Sequence, residues 1–296
     1  MSIIDEIKES FRKGNALHKL IYLNVGLFLA VQIVRIILFL SNSYDLFDEF
    51  LNYLAIPSNL QVLAKRPWTI VSYMFLHVDF FHIFFNLLWL YWFGTVFIQE
   101  LGLKKLLSTY LLGGLTGGLL YVLFYNIFPV FEPVVETSIA LGASASVMAI
   151  VVAAAAYRPD RKLLLVFIGP VRIIYIALVM FILTSLVDFS VNTGGKIAHI
   201  GGALMGFVFA SYYKQGKDIS RGFDRMMDRI ATWFKPGKKE KMKVTYKRPA
   251  DDLEYNRQKA EEQKEIDRIL DKISKGGYDS LTEREKEQLF KMSDKK

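Results

Sequence analysis

The chain has 296 residues, of which 52% are hydrophobic and 14% aromatic, and it carries a formal net charge of +8 without a single cysteine. Apolar stretches of about 20 residues are long enough to span a bilayer, so this composition excludes an ordinary soluble domain. The lack of cysteine excludes disulfides, thiol catalysis and cysteine-based metal sites.

Six apolar stretches predict an all-α, polytopic membrane protein with a six-helix bundle. They cover residues 20–40, 79–98, 106–128, 138–157, 173–189 and 197–213. Lysines and arginines concentrate in residues 1–19, in the loops after the second and fourth stretches, and after residue 213. Because basic loops remain cytoplasmic, we expect both termini in the cytoplasm and the bundle in a bacterial inner membrane.

Two connections between the predicted spans have unusual features. The loop of residues 41–78 is long, and its apolar residues indicate that it lies partly in the membrane interface. Arg35, near the outer end of the first span, is expected to reach outward or to contact this loop. Residues 163–171 are too short to span and contain Gly169-Pro170, which predicts a re-entrant or interfacial segment.

Beyond the membrane domain, predicted for residues 20–213, the chain becomes basic over residues 214–250. Apolar residues from Ile219 to Phe234 recur at helical spacing with three arginines between them, which predicts an amphipathic helix on the inner membrane surface. Nucleic acid is an alternative partner for such a segment. Anionic lipid beside a membrane span is the stronger interpretation, so no nucleic-acid partner is predicted.

The last segment, residues 251–296, is predicted to be a small polar helical hairpin on the cytoplasmic side. Its two helices cover about residues 251–274 and 281–292, and Ser280 with Glu283 has the spacing of a capping box for the second. The segment shows no catalytic pattern, and its partner cannot be read from the sequence.

Several polar residues lie near the outer ends of the predicted spans, where polar groups are costly and are usually functional. They are His77, His82, Asn86, Ser144, Asp188 and His199. If residues 138–157 are helical throughout, Ser144 lies about 9 Å below the start of its span. His82 reaches a similar depth only if its own span begins near Asp79.

Helical spacing places several of these residues on shared faces. His82 and Asn86 are four residues apart and share one face of the second span. His199, Gly202 and Gly206 share one face of the last span, and the two glycines allow a neighbouring helix to approach closely.

In the fourth span, Ser144 lies beside a stripe of mostly small residues. The stripe consists of Ala145, Ala149, Val152, Ala153 and Ala156. Packing it on the glycines of the last span would bring Ser144 toward His199, as a nucleophile beside its general base. Taken singly, such a serine more often bonds its own backbone, and such glycines are usually plain packing residues. The shared depth and spacing favour a site.

Three motifs on different predicted helices resemble the rhomboid intramembrane serine proteases. They are HVDFFHIFFNLLWLYWFG (77–94), GASASVMA (142–149) and AHIGGALMG (198–206). Their order and content match the family patterns H-x-x-x-N, G-x-S and A-H-x-x-G-x-x-x-G, and the resemblance covers about residues 68–213. It implies an endopeptidase that cleaves transmembrane or juxtamembrane segments of single-pass proteins within the bilayer.

The resemblance also implies a role for each motif residue. Ser144 is the nucleophile and His199 its general base, in a dyad that requires no carboxylate. His82, Asn86 and the backbone amide of Ser144 form the oxyanion hole, and Gly142 lies where the backbone approaches the scissile peptide. No cofactor and no metal are implied.

Three departures from the family pattern affect the surroundings of the site. Ala145 follows the serine where many relatives have glycine, and Met148 occupies a position where an aromatic side chain often packs beneath the histidine. Many relatives carry a Trp-Arg pair in the first loop, whereas here Trp68 follows Arg66 by two residues. These changes concern packing and loop anchoring.

Two other functions fit a polar cavity in a membrane bundle. The first is a catalytically silent rhomboid-like protein that binds client helices, and the second is a transporter or channel. The presence of both Ser144 and His199 favours the protease, because a silent relative is expected to lack one of them.

Overall fold

The structure is a computed structural model that describes residues 15–165, 168–187, 190, 192–234 and 252–293. Its internal contacts divide the chain into two units, Met1–Lys235 and Pro236–Lys296, which are described separately. Most of the predicted N-terminal segment and the second half of the basic segment of residues 214–250 lie outside the described residues.

The first unit is a helical bundle with short strands in its loops. In chain order it contains α1 (Ala16–Leu40), α2 (Asp45–Leu54), β1 (Ile56–Pro57), α3 (Leu60–Lys65), α4 (Thr69–Ser72), α5 (Phe80–Leu101), α6 (Leu103–Ile127), β2 (Ile139–Ala140), α7 (Ser144–Tyr157), β3 (Lys162–Leu165), β4 (Gly169–Arg172), α8 (Ile173–Ser185), α9 (Thr193–Lys214) and α10 (Arg221–Phe234). Two 3₁₀ turns, Tyr73–Phe75 and Pro129–Val134, complete the loops.

A helix occupies each of the six predicted spans, namely α1, α5, α6, α7, α8 and α9. Within the described ranges, α1, α5 and α6 are long and apolar enough to cross a membrane, and α7 and α8 are shorter apolar helices. The predicted helical architecture is therefore confirmed, with three candidate membrane spans and two shorter apolar helices among the described residues. The number of crossings and the side of the membrane on which each end lies stay predictions.

Helix α7 forms the centre of the bundle. It packs against α5, α6, α8 and α9, and 10 of its 14 residues are buried. A helix that is apolar on every side belongs in the interior, and the alanines of α7 let its neighbours approach closely. Its N-terminal residue is therefore held by several elements at once.

The predicted contact between the glycines of the last span and the alanine stripe is confirmed. A β-carbon added at Gly202 would overlap the carbonyl oxygen of Ala145, and one added at Gly206 would overlap that of Ala149. On another side of α7, a β-carbon at Gly117 of α6 would overlap the Ala145 side chain. Helices α6 and α9 thus contact α7 at backbone distance.

The predicted start of the fourth span is wrong. Residues 138–143 are not helical, because β2 pairs antiparallel with β1 of the first loop and Gly142 has a φ of +127°. The helix begins only at Ser144. Since extended backbone rises about 3.3 Å per residue instead of 1.5 Å, the predicted depth of Ser144 used the wrong rise. The second span does begin as predicted, with Asp79 at the N-cap position.

The long first loop is folded onto the bundle through α2. Arg35 of α1 donates to the Tyr44 hydroxyl at 3.2 Å, so its predicted contact with this loop is confirmed. The Trp68 indole donates to the Tyr53 carbonyl at 2.9 Å, and the Arg66 guanidinium lies over the Tyr53 ring at 5.5 Å. Trp68 and Arg66, which are not adjacent in the sequence, therefore both anchor the loop at Tyr53.

The segment between α7 and α8 is a β-hairpin. Strands β3 and β4 pair antiparallel, with Lys162 opposite Arg172 and Leu165 opposite Gly169. The hairpin returns the chain from α7 to α8. Two apolar residues of the hairpin, Leu164 and Ile168, are exposed. The prediction of a segment that does not span is consistent with this hairpin, which is not a re-entrant helix.

An ionic cluster holds the region before α10 on the first turn of α6. The Lys105 ammonium bonds the carboxylates of both Asp218 and Asp224, and the Ser108 hydroxyl donates to Asp224. Asp224 and Ser220 are buried, so a compact polar core fixes the start of α10. The predicted amphipathic helix is present, and it begins two residues after Ile219.

The second unit is a helical hairpin of α11 (Asp252–Gly276) and α12 (Glu283–Ser293), joined by a 3₁₀ turn. The predicted capping box is two residues too early, because the Thr282 backbone N–H donates to Glu285 Oε2 at 2.8 Å. This bond and the Lys272 ammonium lower the pKa of Glu285 to about 2. Ser280 is the last residue of the 3₁₀ turn, so α12 begins later, at Glu283, with Thr282 as its cap.

Candidate active site

Four of the predicted site residues line one cavity of about 320 Å³. They are His82 and Asn86 of α5, Ser144 of α7 and His199 of α9. The remaining walls are mostly apolar and include Phe81, Phe85, Trp89, Met148 and Met180. Asp188, which belonged to the same predicted set, lies outside the described residues.

Ser144 is the first residue of α7. The first backbone N–H groups of a helix have no intrahelical acceptor, and the helix dipole makes this end electropositive. The preceding turn depends on Gly142, whose positive φ disfavours any side chain. A β-carbon at Gly142 would also lie 2.7 Å from Cε1 of His82. The backbone at Gly142 therefore lies against the His82 ring, and its predicted approach to a scissile peptide stays a prediction.

His199 is oriented by a backbone carbonyl. Its Nδ1 lies 3.1 Å from the Thr184 oxygen, an acceptor that requires the proton on Nδ1. The lone pair is then on Nε2. Helix α8 ends at Ser185, so the Thr184 carbonyl has no partner within its own helix. Because the acceptor is main chain, the residue type gives no sequence signal for it.

His82 and Asn86 lie one helical turn apart on α5. The Asn86 side-chain amide donates to the His82 carbonyl at 2.8 Å, which uses one of its two N–H groups. The second N–H stays available to a ligand in the cavity. This bond fixes the position of the carboxamide along α5.

His77 lies behind the cavity and does not line it. It is fully buried, its Nδ1 lies 3.3 Å from the Phe75 oxygen, and its Nε2 accepts from the Ala143 N–H at 3.3 Å. The ring therefore holds the residue that precedes Ser144. Its ring centroid is 5.1 Å from that of His82, so the two imidazoles flank the turn at Gly142.

Two departures from the family pattern, Ala145 and Met148, are accommodated by the packing of α7. The methyl group of Ala145 faces α6, where Gly117 leaves room for it, and it does not line the cavity. Met148 is buried one turn below Ser144 and lines the cavity. A flexible thioether thus occupies the position at which an aromatic ring often packs.

Comparison with known protein families agrees with this architecture. A family model described as Rhomboid domain matches residues 64–216, more than half of the chain, and includes all three motifs. Residues 251–295 match a family of unknown function (DUF6576). No curated protein matches the chain. With its apolar helices and a matched domain that covers the whole cavity, the chain is an integral membrane protein that belongs to the rhomboid family.

Proposed function

We propose that the protein is an intramembrane serine endopeptidase in which Ser144 is the nucleophile and His199 the general base. One observation carries the proposal. The first residue of a buried helix is a serine, and it shares a cavity with a histidine whose Nδ1 is already engaged by the Thr184 carbonyl. This leaves Nε2 as the atom that can accept the serine proton.

The reaction begins with attack of the Ser144 Oγ on the carbonyl carbon of the scissile peptide. His199 Nε2 takes the Oγ proton and then gives it to the leaving amide nitrogen, so the peptide C–N bond breaks and an acyl-serine forms. A water molecule deprotonated by the same nitrogen hydrolyses the ester and restores Ser144. The Thr184 carbonyl stabilises the imidazolium in both steps, because Nδ1–H donates to it.

Three hydrogen-bond donors stabilise the negative charge of the tetrahedral intermediate in this proposal. The Ser144 backbone N–H lies at a helix N-terminus, the free N–H of Asn86 is held along α5, and the His82 ring lies against Gly142. Donors that are fixed before the reaction cost no reorganisation when the charge develops.

The proposed substrates are single-pass membrane proteins with helix-destabilising residues near the cleavage site. A substrate must unwind locally, since a helical peptide bond is sterically protected. Phe81 and Phe85 line the cavity and are 71% and 50% exposed, which gives it an apolar rim for such a segment. We further propose a bacterial inner membrane, with both termini cytoplasmic and the cavity open on the outer side.

Covalent labelling tests the proposal directly. The purified protein in detergent should react with a fluorophosphonate or an isocoumarin, and peptide mass spectrometry should locate the adduct on Ser144. Ser146, two residues along the same helix, should stay unlabelled. A folded protein that is never labelled and cleaves no membrane protein would favour the silent, client-binding alternative.

Replacing the side-chain donors should slow catalysis without weakening substrate binding to the same extent. Asn86→Ala and His82→Ala each remove a donor aimed at charge that exists only in the transition state, and such a loss costs about 10²–10³ in rate in other acyl-transfer enzymes. Measured kcat and KM for a transmembrane test substrate separate the two effects. An increase in KM alone would contradict the oxyanion role.

Removing residues 251–296 should leave cleavage nearly unchanged. The tail belongs to a compact unit of its own, Pro236–Lys296, and we propose that it is cytoplasmic whereas the cavity opens on the outer side. Turnover by the shortened and full-length proteins is compared in one detergent and in liposomes. A tenfold loss, about 1.4 kcal/mol, in a folded shortened protein would show that the tail is coupled to the site.

A further inference from the structure

A second cavity, of about 610 Å³, lies between α7, α8 and α9. Small residues form its floor, among them Ala155, Ala156 and Ala203. Its walls are large apolar side chains of α8 and α9, namely Leu178, Phe181, Leu204 and Phe207. Leu178, Leu204 and Phe207 are more than half exposed, so the cleft opens on the periphery of the helical bundle.

The cleft is charged at one end only. Along its length the lining is almost entirely apolar, and Lys214 is its single charged lining residue. Lys214 and Pro159 also line a neighbouring cavity of about 550 Å³, whose other charged lining residues are Arg158, Arg161, Glu100 and Asp160. An apolar cleft therefore continues directly into a basic pocket, an arrangement that matches an amphiphile with an anionic head.

The basic pocket keeps unneutralised positive charge. Glu100 bonds Arg161 at 2.5 Å and Arg158 at 3.3 Å, so one carboxylate is shared between two guanidinium groups. The Arg158 side chain is 62% exposed. In the part of the chain that the structure describes, no ion pair engages Lys214. The second carboxylate of the pocket, Asp160, is paired with the Arg172 guanidinium at 3.5 Å. With both carboxylates counted, Lys214 and one arginine charge remain for a ligand.

We propose that this cleft binds an anionic phospholipid, with an acyl chain between α8 and α9 and the phosphate at Lys214 and Arg158. The wall residues Leu178, Leu204 and Phe207 are apolar and exposed on an integral membrane protein, so lipid is the medium that contacts them. Basic pockets at the cytoplasmic ends of membrane helices are typical sites for anionic headgroups. The inference rests on the proposed topology, which puts Lys214 at the cytoplasmic surface.

Such a lipid would support the helix that orients the proposed base. Phe181 of α8 lines the lipid cleft, whereas Met180 and Thr184 of the same helix line the catalytic cavity. The Thr184 carbonyl holds His199. A filled cleft therefore limits the movement of α8 away from α9 and keeps that hydrogen bond formed.

The headgroup contact is tested by native mass spectrometry of the purified full-length protein with phosphatidylglycerol or phosphatidylcholine. The wild type should bind phosphatidylglycerol more tightly. Lys214→Gln should bind it roughly tenfold more weakly, the value of one lost charge-assisted contact, with phosphatidylcholine unaffected. The control is Lys217→Gln, a nearby lysine outside both cavities, which should bind as the wild type does.

The acyl-chain contact is tested by filling the cleft. Ala203→Phe should weaken the binding of both lipids, and Ala30→Phe, on the exposed surface of α1, should not. Equal phosphatidylglycerol binding by wild type, Lys214→Gln and Ala203→Phe would overturn the site. If Lys214→Gln weakened phosphatidylglycerol binding and Ala203→Phe did not, the lipid would be held only by charge attraction at the surface. The proposed acyl-chain site in the cleft would then be wrong. Lipid binding is measured without proteolysis, so failure of the proposed chemistry leaves this test intact.

Discussion

Ser144→Ala is expected to abolish cleavage of a transmembrane test substrate while the protein stays folded. The change removes the only atom that attacks the peptide in the proposed reaction. The rate loss should be on the order of 10⁶, as for the nucleophile of another serine protease. Appearance of the cleaved product on a gel, with purified protein in detergent, provides the measurement.

His199→Ala should have a comparable effect, and the double variant should be no worse than either single variant, because the two groups act as one unit. Matched controls are Ser146→Ala and His18→Ala. Ser146 is buried against Gly114 of α6, and His18 lies in the first turn of α1, so both should keep near-normal turnover. Substantial cleavage by Ser144→Ala would contradict the proposed dyad.

Gly202→Val and Gly206→Val should each lower stability and activity together. A β-carbon at either position overlaps a carbonyl oxygen of α7, so α7 and α9 must separate, and the proposed dyad has one member on each of these helices. Overpacking of this kind costs about 3 kcal/mol or more when backbone must move. Thermal unfolding in detergent and fluorophosphonate labelling of Ser144 measure the two consequences.

Gly26→Val provides the control for added bulk and β-branching in a helix. A β-carbon at Gly26 of α1 meets nothing within 4 Å, so its transition temperature and labelling should stay close to those of the wild type. If Gly202→Val matched Gly26→Val in both measurements, the tight α7–α9 contact would not be what positions the dyad.

Periodicity allowed much of the bundle and of the candidate site to be predicted. Helices have a fixed spacing, so Gly202 and Gly206 could be assigned to one face, and that face could be paired from the sequence with the stripe of Ala145, Ala149, Val152, Ala153 and Ala156. Asp79 likewise located the start of α5. Such features depend on residue type and spacing alone, and both are visible in one sequence.

The remaining features depend on long-range or main-chain contacts. Helix α7 begins late because residues 139 and 140 pair with Ile56–Pro57, some 80 positions earlier, and no local pattern announces such a pairing. The partner of His199 is the carbonyl of Thr184, which any residue could supply. The His77 contact with Ala143 is also a backbone contact across distant segments.

If the proposed dyad is correct, the order of α7 and α9 along the chain determines when the protein becomes reactive during its own synthesis. A nascent chain that has reached only α8 contains Ser144 but not His199, and the face of α7 that meets Gly202 and Gly206 is still uncovered. On the proposed chemistry it has no general base, so it cannot cleave neighbouring proteins at the insertion site. Proteolytic competence therefore arrives with the last helix of the bundle, after the ribosome has made nearly the whole membrane domain.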